Sequence, residues 1–470
     1  MSASKGSARI WLRGNDLLIA PESEATSAAL RSDLLAAVPG EELVYDARRG
    51  AFRTLAHAYR AVAERLEREA YDVDIAFDAA PALPFTARAS QSPRAYQRAA
   101  FDAWERAGRR GVVVLPTGAG KTLVAFLAIA AVGQHSLVVV PTLDLLEQWR
   151  RALIDQLGAP PEHVRTYGGG KQEIGPLTVM TYDSAALHPR ELNTFGLLVF
   201  DEVHHLPATS YRRAAEGAIA PYRLGLSATP DRTDGREVDL ARLVGPTVFE
   251  RSPHQLRAFL AAYREERIHV SLSPDELGRY EQARGTYKDF VRRRRLRITS
   301  PEEFQRWVIW PSANDPEART AMLAHREARA LSFNAAGKLA TLRDLLARHA
   351  RDRVIVFAEF NRVVDQVSRT LLIPSITHRT PAAERQAVLD RFRSGRYTKL
   401  VTGRVLNEGV DVPDANVAIV LSGTATKREY IQRLGRVLRP KEGQATLYEL
   451  VSEETDELHV TARRHGAPQS

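Results

Sequence analysis

Residues 111–122 read Gly111-Val112-Val113-Val114-Leu115-Pro116-Thr117-Gly118-Ala119-Gly120-Lys121-Thr122, and the apolar stretch Leu123–Ala131 follows. A β-branched run, a glycine-rich turn and a helix-forming segment in that order give the context in which a turn of this kind cradles phosphate. The glycines let backbone N–H groups point at a β- or γ-phosphate. The helix N-terminus adds partial positive charge, and Lys121 a full one. Thr117, Gly118, Ala119, Gly120, Lys121 and Thr122 are therefore the candidate phosphate-binding residues, with the Thr122 hydroxyl placed for Mg²⁺. The strict pattern has Gly where Leu115 stands.

Short apolar runs continue outward from this loop. Leu137–Val140, Leu177–Thr181, Leu197–Phe200 and Tyr222–Leu226 alternate with helical stretches such as Leu143–Leu157. Buried parallel strands read this way, as continuous apolar runs joined by helix-length crossovers. A second series begins near Asn334. Its expected strands are Val354–Phe357, Lys399–Thr402, Val417–Leu421 and Ala445–Val451, and its expected helices Leu339–His349, Arg362–Leu371, Ala382–Ser394 and Lys427–Val437. Between the series, Leu272–Leu331 is helix-like and highly charged, with Arg292-Arg293-Arg294-Arg295 at its centre. The first 85 residues form another unit, with a strand at Ala8–Leu12, an amphipathic helix over Arg53–Ala70 and a linker at Ala80–Pro84. The expected domains are 1–85, 86–268, 269–333 and 334–470.

Composition narrows the class. The chain has 470 residues, is 44% hydrophobic and 26% charged, and carries a net charge of +9, which favours a polyanionic partner. Its 58 Arg against eight Lys can equally reflect genome composition. With no Cys, disulfides, Cys-ligated zinc and iron–sulfur clusters are excluded. No apolar run approaches the roughly 20 residues that span a bilayer, and no signal-peptide core is evident, so a cytoplasmic protein without a membrane partner is expected. His204 and His205, being adjacent, would point apart on a regular strand.

Further motifs supply the rest of a catalytic constellation. Asp201 and Glu202 follow the strand Leu197–Phe200, where a metal-holding carboxylate and a water-polarising base belong in a sheet that carries a phosphate loop. Ser227-Ala228-Thr229 ends the next strand, with His204 as a hydrogen-bond partner. In Gln432-Arg433-Leu434-Gly435-Arg436-Val437-Leu438-Arg439, positions 432, 436 and 439 share one helical face, and Arg436 and Arg439 suit a γ-phosphate.

In order, Tyr96-Gln97, Gly118–Thr122, Pro141-Thr142, Thr181-Tyr182, Asp201–His204, Ser227–Thr229, Glu408-Gly409-Val410-Asp411 and Gln432–Arg439 resemble the motifs of superfamily 2 helicases, and within them the XPB family. The resemblance extends to Asp201–Ala208, Ile373–Thr380 and Glu429–Arg436, and covers nearly the whole chain. It implies an α/β fold: two RecA-like parallel-sheet helicase lobes, a small N-terminal α+β domain that recognises damage, and a helical thumb-like insertion. It implies ATP and Mg²⁺ as cofactors, with Gln97 reading the adenine, Asp411 the ribose, Thr122 and Asp201 the metal, and Lys121, Glu202, Arg436 and Arg439 serving catalysis. Thr142, Thr181 and Thr402 fall where the family touches the nucleic-acid backbone. Arg232 and the thumb residues Tyr287 and Arg292–Arg295 are further DNA candidates.

The expected activity is that of a 3′-to-5′ ATP-dependent DNA helicase acting on forked, bubble or damaged DNA in nucleotide excision repair, with a nuclease as possible partner. The family's Arg-Glu-Asp signature stands here as Arg232-Thr233-Asp234. That keeps open a duplex translocase that never separates strands. A scaffold that clamps DNA with ATP and recruits a nuclease is the alternative from another class.

Overall fold

A computed structural model describes residues 5–40, 42–228, 238–252, 255–256, 263–403, 415–421 and 445–458. The Ser-Ala-Thr motif's Thr229, together with Arg232-Thr233-Asp234, Glu408–Asp411, Arg436, Arg439 and the expected helix Lys427–Val437, lies outside them. The chain divides into two units, 1–256 and 257–470.

The first unit begins with a five-stranded sheet in the order Val44–Asp46, Ala51–Leu55, Asp16–Pro21, Ser7–Arg13, Asp72–Ile75. Ile10, Leu17, Ile19 and Phe52 turn one face onto Leu30, Leu34, Val62 and Leu66 of two helices, Glu24–Ala37 and Tyr59–Arg68. The helix expected from Arg53 thus starts at Tyr59. Residues 52–55 alternate inward and outward at the period of a strand and pair with Asp16–Ile19, and that cross-strand partner outweighs local helix propensity. The expected linker is laid against the next domain: Ala82 bridges Gln134, and His135 N–H donates to Pro81 O at 2.8 Å. Arg60 fastens the N-terminal sheet to that domain through the carbonyls of Gly108 and Pro221, with its guanidinium over the Tyr222 ring.

The same unit holds an eight-stranded sheet. Its order is Thr247–Glu250, Arg110–Val114, Tyr222–Ser227, Leu197–Asp201, Ser136–Val140, Leu177–Thr181, Val164–Gly168, Lys171–Gln172. All pairings are parallel except the terminal hairpin. The central strands are buried on both faces, which is why they are unbroken apolar runs without alternation. The strand Tyr222–Ser227 lies between the strand that feeds the glycine-rich loop and the strand that ends in Asp201, so all three carboxyl ends meet at one edge. Beneath this sheet Arg223 is fully buried, its guanidinium donating to the carbonyls of Ala215, Ala218, Ala220 and Leu243.

The second unit has a six-stranded, all-parallel sheet in the order Tyr263–Val270, Ala445–Ser452, Val417–Val420, Val354–Phe357, Lys399–Thr402, Ser375–Ile376. The boundary expected at residue 268 falls inside the strand Tyr263–Val270. Pairing with Ala445–Ser452 along eight residues assigns that strand to this sheet. It lies at the edge and carries four consecutive charged residues, Arg264–Arg267, so it lacks the apolar run that marks a central strand. Helices Pro274–Arg293 and Pro316–Phe333 pack on each other through Tyr280, Ala283, Ala324 and Ala328. A capping box, Ser273 with Glu276, starts the first, and Asp315 caps the second by accepting from Glu317 and Ala318 N–H. Lys338 and Glu457 form a buried ion pair at 2.7 Å under the sheet. No helix among the described residues is long and apolar enough to cross a membrane.

Candidate functional site

The glycine-rich turn leaves the strand Arg110–Val114 and enters the helix Lys121–Val132. Gly118 and Gly120 hold φ of +84° and +75°, a left-handed conformation that costs a side chain strain, and Gly120 is the N-cap. Leu115 N–H donates to Ser227 O at 3.0 Å, which fixes the start of the turn to the neighbouring strand. Lys121 Nζ lies 3.2 Å from Leu115 O. The turn is braced from behind. Tyr96 Oη and Gln97 Nε2 donate to Ala119 O at 2.8 and 2.9 Å, and Gln97 Oε1 accepts from Arg94 N–H at 2.9 Å. Both ends of the Gln97 amide are therefore engaged by backbone around the loop.

Two strands across, Asp201 ends its strand with the carboxylate buried. Oδ2 accepts from Trp149 Nε1 at 2.8 Å and Oδ1 from Glu202 N–H at 3.0 Å. Burial pushes the Asp201 carboxyl above its usual range, while the Lys121 charge and these two hydrogen bonds pull the other way. Glu202 adopts φ +47°, uncommon for a residue with a side chain and frequent where a site holds backbone strain. Its Oε2 is 3.5 Å from His204 Nδ1, and that nitrogen is 3.3 Å from Ser227 Oγ. The expected link from the acid pair to the Ser-Ala-Thr segment is thus a buried imidazole. His204 and His205 occupy a single 3₁₀ turn with ring centroids 4.4 Å apart, so they do not diverge as strand neighbours would.

The arrangement fits a magnesium–nucleoside triphosphate by its own chemistry. A twelve-residue helix presents its N-terminus and a lysine, with a buried carboxylate at the strand end two places across the same sheet. Thr117 Oγ1 is buried in the turn with no hydrogen-bond partner. Such an atom is costly unless a ligand satisfies it.

Thr142 and Thr181 are both N-caps. Thr142 Oγ1 accepts from Leu145 N–H at the start of the helix Leu143–Asp155, and Thr181 Oγ1 from Ser184 N–H at the start of Tyr182–Leu187. Thr402 differs in not being an N-cap: its side chain is buried and its hydroxyl donates to Ile376 O at 3.1 Å. Tyr287 is half-buried and packed against Phe304 and His325. Arg292, Arg293 and Arg294 are exposed but paired with Asp289, Glu317 and Asp315. Of the two residues that hold Asp201, Tyr182 stood in a motif without a role of its own and Trp149 was not singled out from the sequence. Tyr182 follows a motif threonine and Trp149 lies two helical turns beyond another, and that spacing was the available signal.

Residues 90–232 match the family model described as type III restriction enzyme, res subunit, and residues 337–441 match the helicase conserved C-terminal domain. The DNA 3′-5′ translocase XPB2 of Sulfurisphaera tokodaii is 40% identical over 418 residues, covering 88% of this chain and 93% of that protein. The DNA 3′-5′ helicase XPB of Mycobacterium tuberculosis is 32% identical over 385 residues, covering 79% of this chain and 62% of its own length. The helicase domain of Pyrococcus furiosus Hef shares the fold at a TM-score of 0.54 and 18% identity, over 78% of this chain and 97% of that one. At 40% identity across nearly all of both chains, this protein belongs to the XPB family of superfamily 2 helicases.

Proposed function

We infer that this chain is an ATP-driven DNA motor that travels 3′ to 5′ and opens forked, bubble or damaged duplex during nucleotide excision repair, in the cytoplasm, ahead of a nuclease. The observation that carries the reading is the shared sheet edge at which Lys121, Ser227 and Asp201–Glu202 converge. Backbone N–H groups of Gly118–Thr122 and Lys121 Nζ would hold the phosphates, and Thr122 with Asp201 the metal. Glu202 would take a proton from the attacking water, with His204 fixing its carboxylate. Mg²⁺ bound to ATP supplies charge neutralisation at the transferring phosphoryl group. Asp411, Arg436 and Arg439 complete the proposal for ribose and γ-phosphate on the strength of the resemblance alone.

Thr142 and Thr181 stand at helix N-termini, and with Arg232 and Arg292 they would meet backbone phosphate and not base edges. That predicts little sequence preference and strong salt dependence. Arg232-Thr233-Asp234 favours the second reading, a duplex translocase. Displacement of the paired strand from a 3′-tailed fork, run beside displacement of a triplex-forming strand, separates the two. Fork opening that needs hydrolysable ATP and vanishes in Glu202→Gln supports the helicase. Triplex displacement alone supports the translocase, and ATP turnover with neither outcome contradicts both.

A further inference from the structure

Asp201 is gripped from two directions, and each grip leads back to a threonine-capped helix. Trp149 is 3% exposed, stands seven residues after Thr142 on the helix Leu143–Asp155, and donates its indole N–H to Asp201 Oδ2 at 2.8 Å. Tyr182 is 1% exposed, follows Thr181 directly, and donates its hydroxyl to the Asp201 carbonyl at 3.0 Å. The peptide between Asp201 and Glu202 is thereby held at both ends. Tyr182 Oη binds its oxygen, and Asp201 Oδ1 binds its N–H at 3.0 Å. That peptide plane leads into the left-handed backbone of Glu202 and so aims the Glu202 side chain.

The struts are stiff. Trp149 meets Phe126 edge-on, ring centroids 6.0 Å apart, and Phe126 lies on the helix that begins at Lys121. Tyr182 stacks on Phe200 at 6.4 Å and leans on Tyr211 at 5.4 Å, whose hydroxyl donates to Asp183 at 2.9 Å. Seven helical residues span about 10 Å with little bending. A shift of either helix on gripping a phosphate therefore reaches the carboxylate or its peptide plane with nothing soft between.

We propose that Trp149 and Tyr182 are positioning residues that transmit nucleic-acid binding at the Thr142 and Thr181 helix starts to Asp201 and Glu202, making nucleotide binding depend on DNA. This rests on the proposed function above, which makes those helix starts DNA contacts. Buried Trp and Tyr ordinarily find a hydrogen-bond partner for stability alone. The test therefore has to read coupling between two ligands, which a merely structural role leaves unmoved.

The experiment measures affinity for a fluorescent, non-hydrolysable ATP analogue with Mg²⁺, with and without saturating single-stranded DNA. By thermodynamic linkage the ratio equals the change in DNA affinity caused by the nucleotide, so each is a check on the other. The unsubstituted protein should show a ratio of about 5-fold or more. In Tyr182→Phe and Trp149→Phe the ratio should fall by more than half, and in the double variant to about 1. Affinity for DNA alone should hold in all three. Tyr71→Phe, which removes a buried hydroxyl bond to Asp33 in the N-terminal domain, is the control and should keep the full ratio. Ratios in the Phe variants equal to that of the unsubstituted protein overturn the proposal. So does a loss of ratio matched by Tyr71→Phe, since that marks general destabilisation. No DNA-stimulated ATP hydrolysis in the unsubstituted protein would refute the proposed function itself, a result distinct from either.

Discussion

Replacing Gly120 by alanine tests the phosphate loop and its brace together. At φ +75° an added Cβ costs about 1–2 kcal/mol in backbone strain. The same Cβ would also overlap Gln97 Nε2, which donates to Ala119 O at 2.9 Å and Gly120 O at 3.2 Å. Displacing that amide removes two hydrogen bonds to backbone carbonyls, each worth about 0.5–1.5 kcal/mol. Gly120→Ala should therefore cost about 2–5 kcal/mol in total. Gly133 at the other end of the same helix provides the calibration, because its φ is +65° and nothing lies within 4 Å of an added Cβ. Gly133→Ala should cost only the backbone part, about 1–2 kcal/mol. The assay is thermal unfolding of both variants, where each kcal/mol shifts the midpoint by roughly 2–4 °C for a domain of this size. Adding Gln97→Ala to Gly120→Ala should cost less than the sum of the two singles, since the overlap disappears. Equal midpoints for Gly120→Ala and Gly133→Ala, or strict additivity with Gln97→Ala, would refute the brace.

Three other perturbations follow from the packing. Lys338→Met strands Glu457 in a buried site, so it should cost about 3–5 kcal/mol in urea unfolding, with much of that recovered in Lys338→Met/Glu457→Gln. Hydrogen bonds from Arg150, and then Arg151, hold Glu147 down at about 2 from a usual 4.5. Its folded pKa lies below the unfolded one, so the stabilisation is complete above about pH 4.5 and is lost as pH falls through about 2. Because the pair is partly exposed, Glu147→Gln should cost under about 1 kcal/mol at pH 7, and the difference from the unsubstituted protein should shrink across that acidic window. Arg60→Ala removes the guanidinium that ties the N-terminal sheet to Gly108 and Pro221, so limited proteolysis should cut faster within residues 76–94 while the eight-stranded domain stays resistant.

What was readable in the sequence is what local chemistry dictates. The turn at Gly118–Thr122 needs glycines at positive φ and a helix after it, and both are written in consecutive residues. The buried parallel strands were visible because burial on both faces leaves no polar position. Tyr263–Val270 was not, because an edge strand carries charges and depends on a partner some 180 residues away. Arg53–Leu55 reads as the start of a helix, and only its cross-strand partner makes it part of a strand. Within the site, Asp201 and Glu202 announced themselves by following an apolar strand. Their anchors did not: Tyr182 stood in a motif without a role and Trp149 lay unremarked inside an expected helix, and only the tertiary fold brings them to Asp201. Thr402 shows the converse, since a threonine at a motif position gives no sign of whether its hydroxyl faces solvent or, as here, the strand beside it.

Phosphate release from ATP, measured with and without single-stranded DNA in the unsubstituted protein and in Lys121→Ala, puts the central claim to the most direct trial. Release that rises with DNA in the former and stays at background in the latter, with DNA affinity equal in both, is the predicted result. Undiminished DNA-stimulated release from Lys121→Ala would contradict it and remove the loop at residues 116–122 from the chemistry.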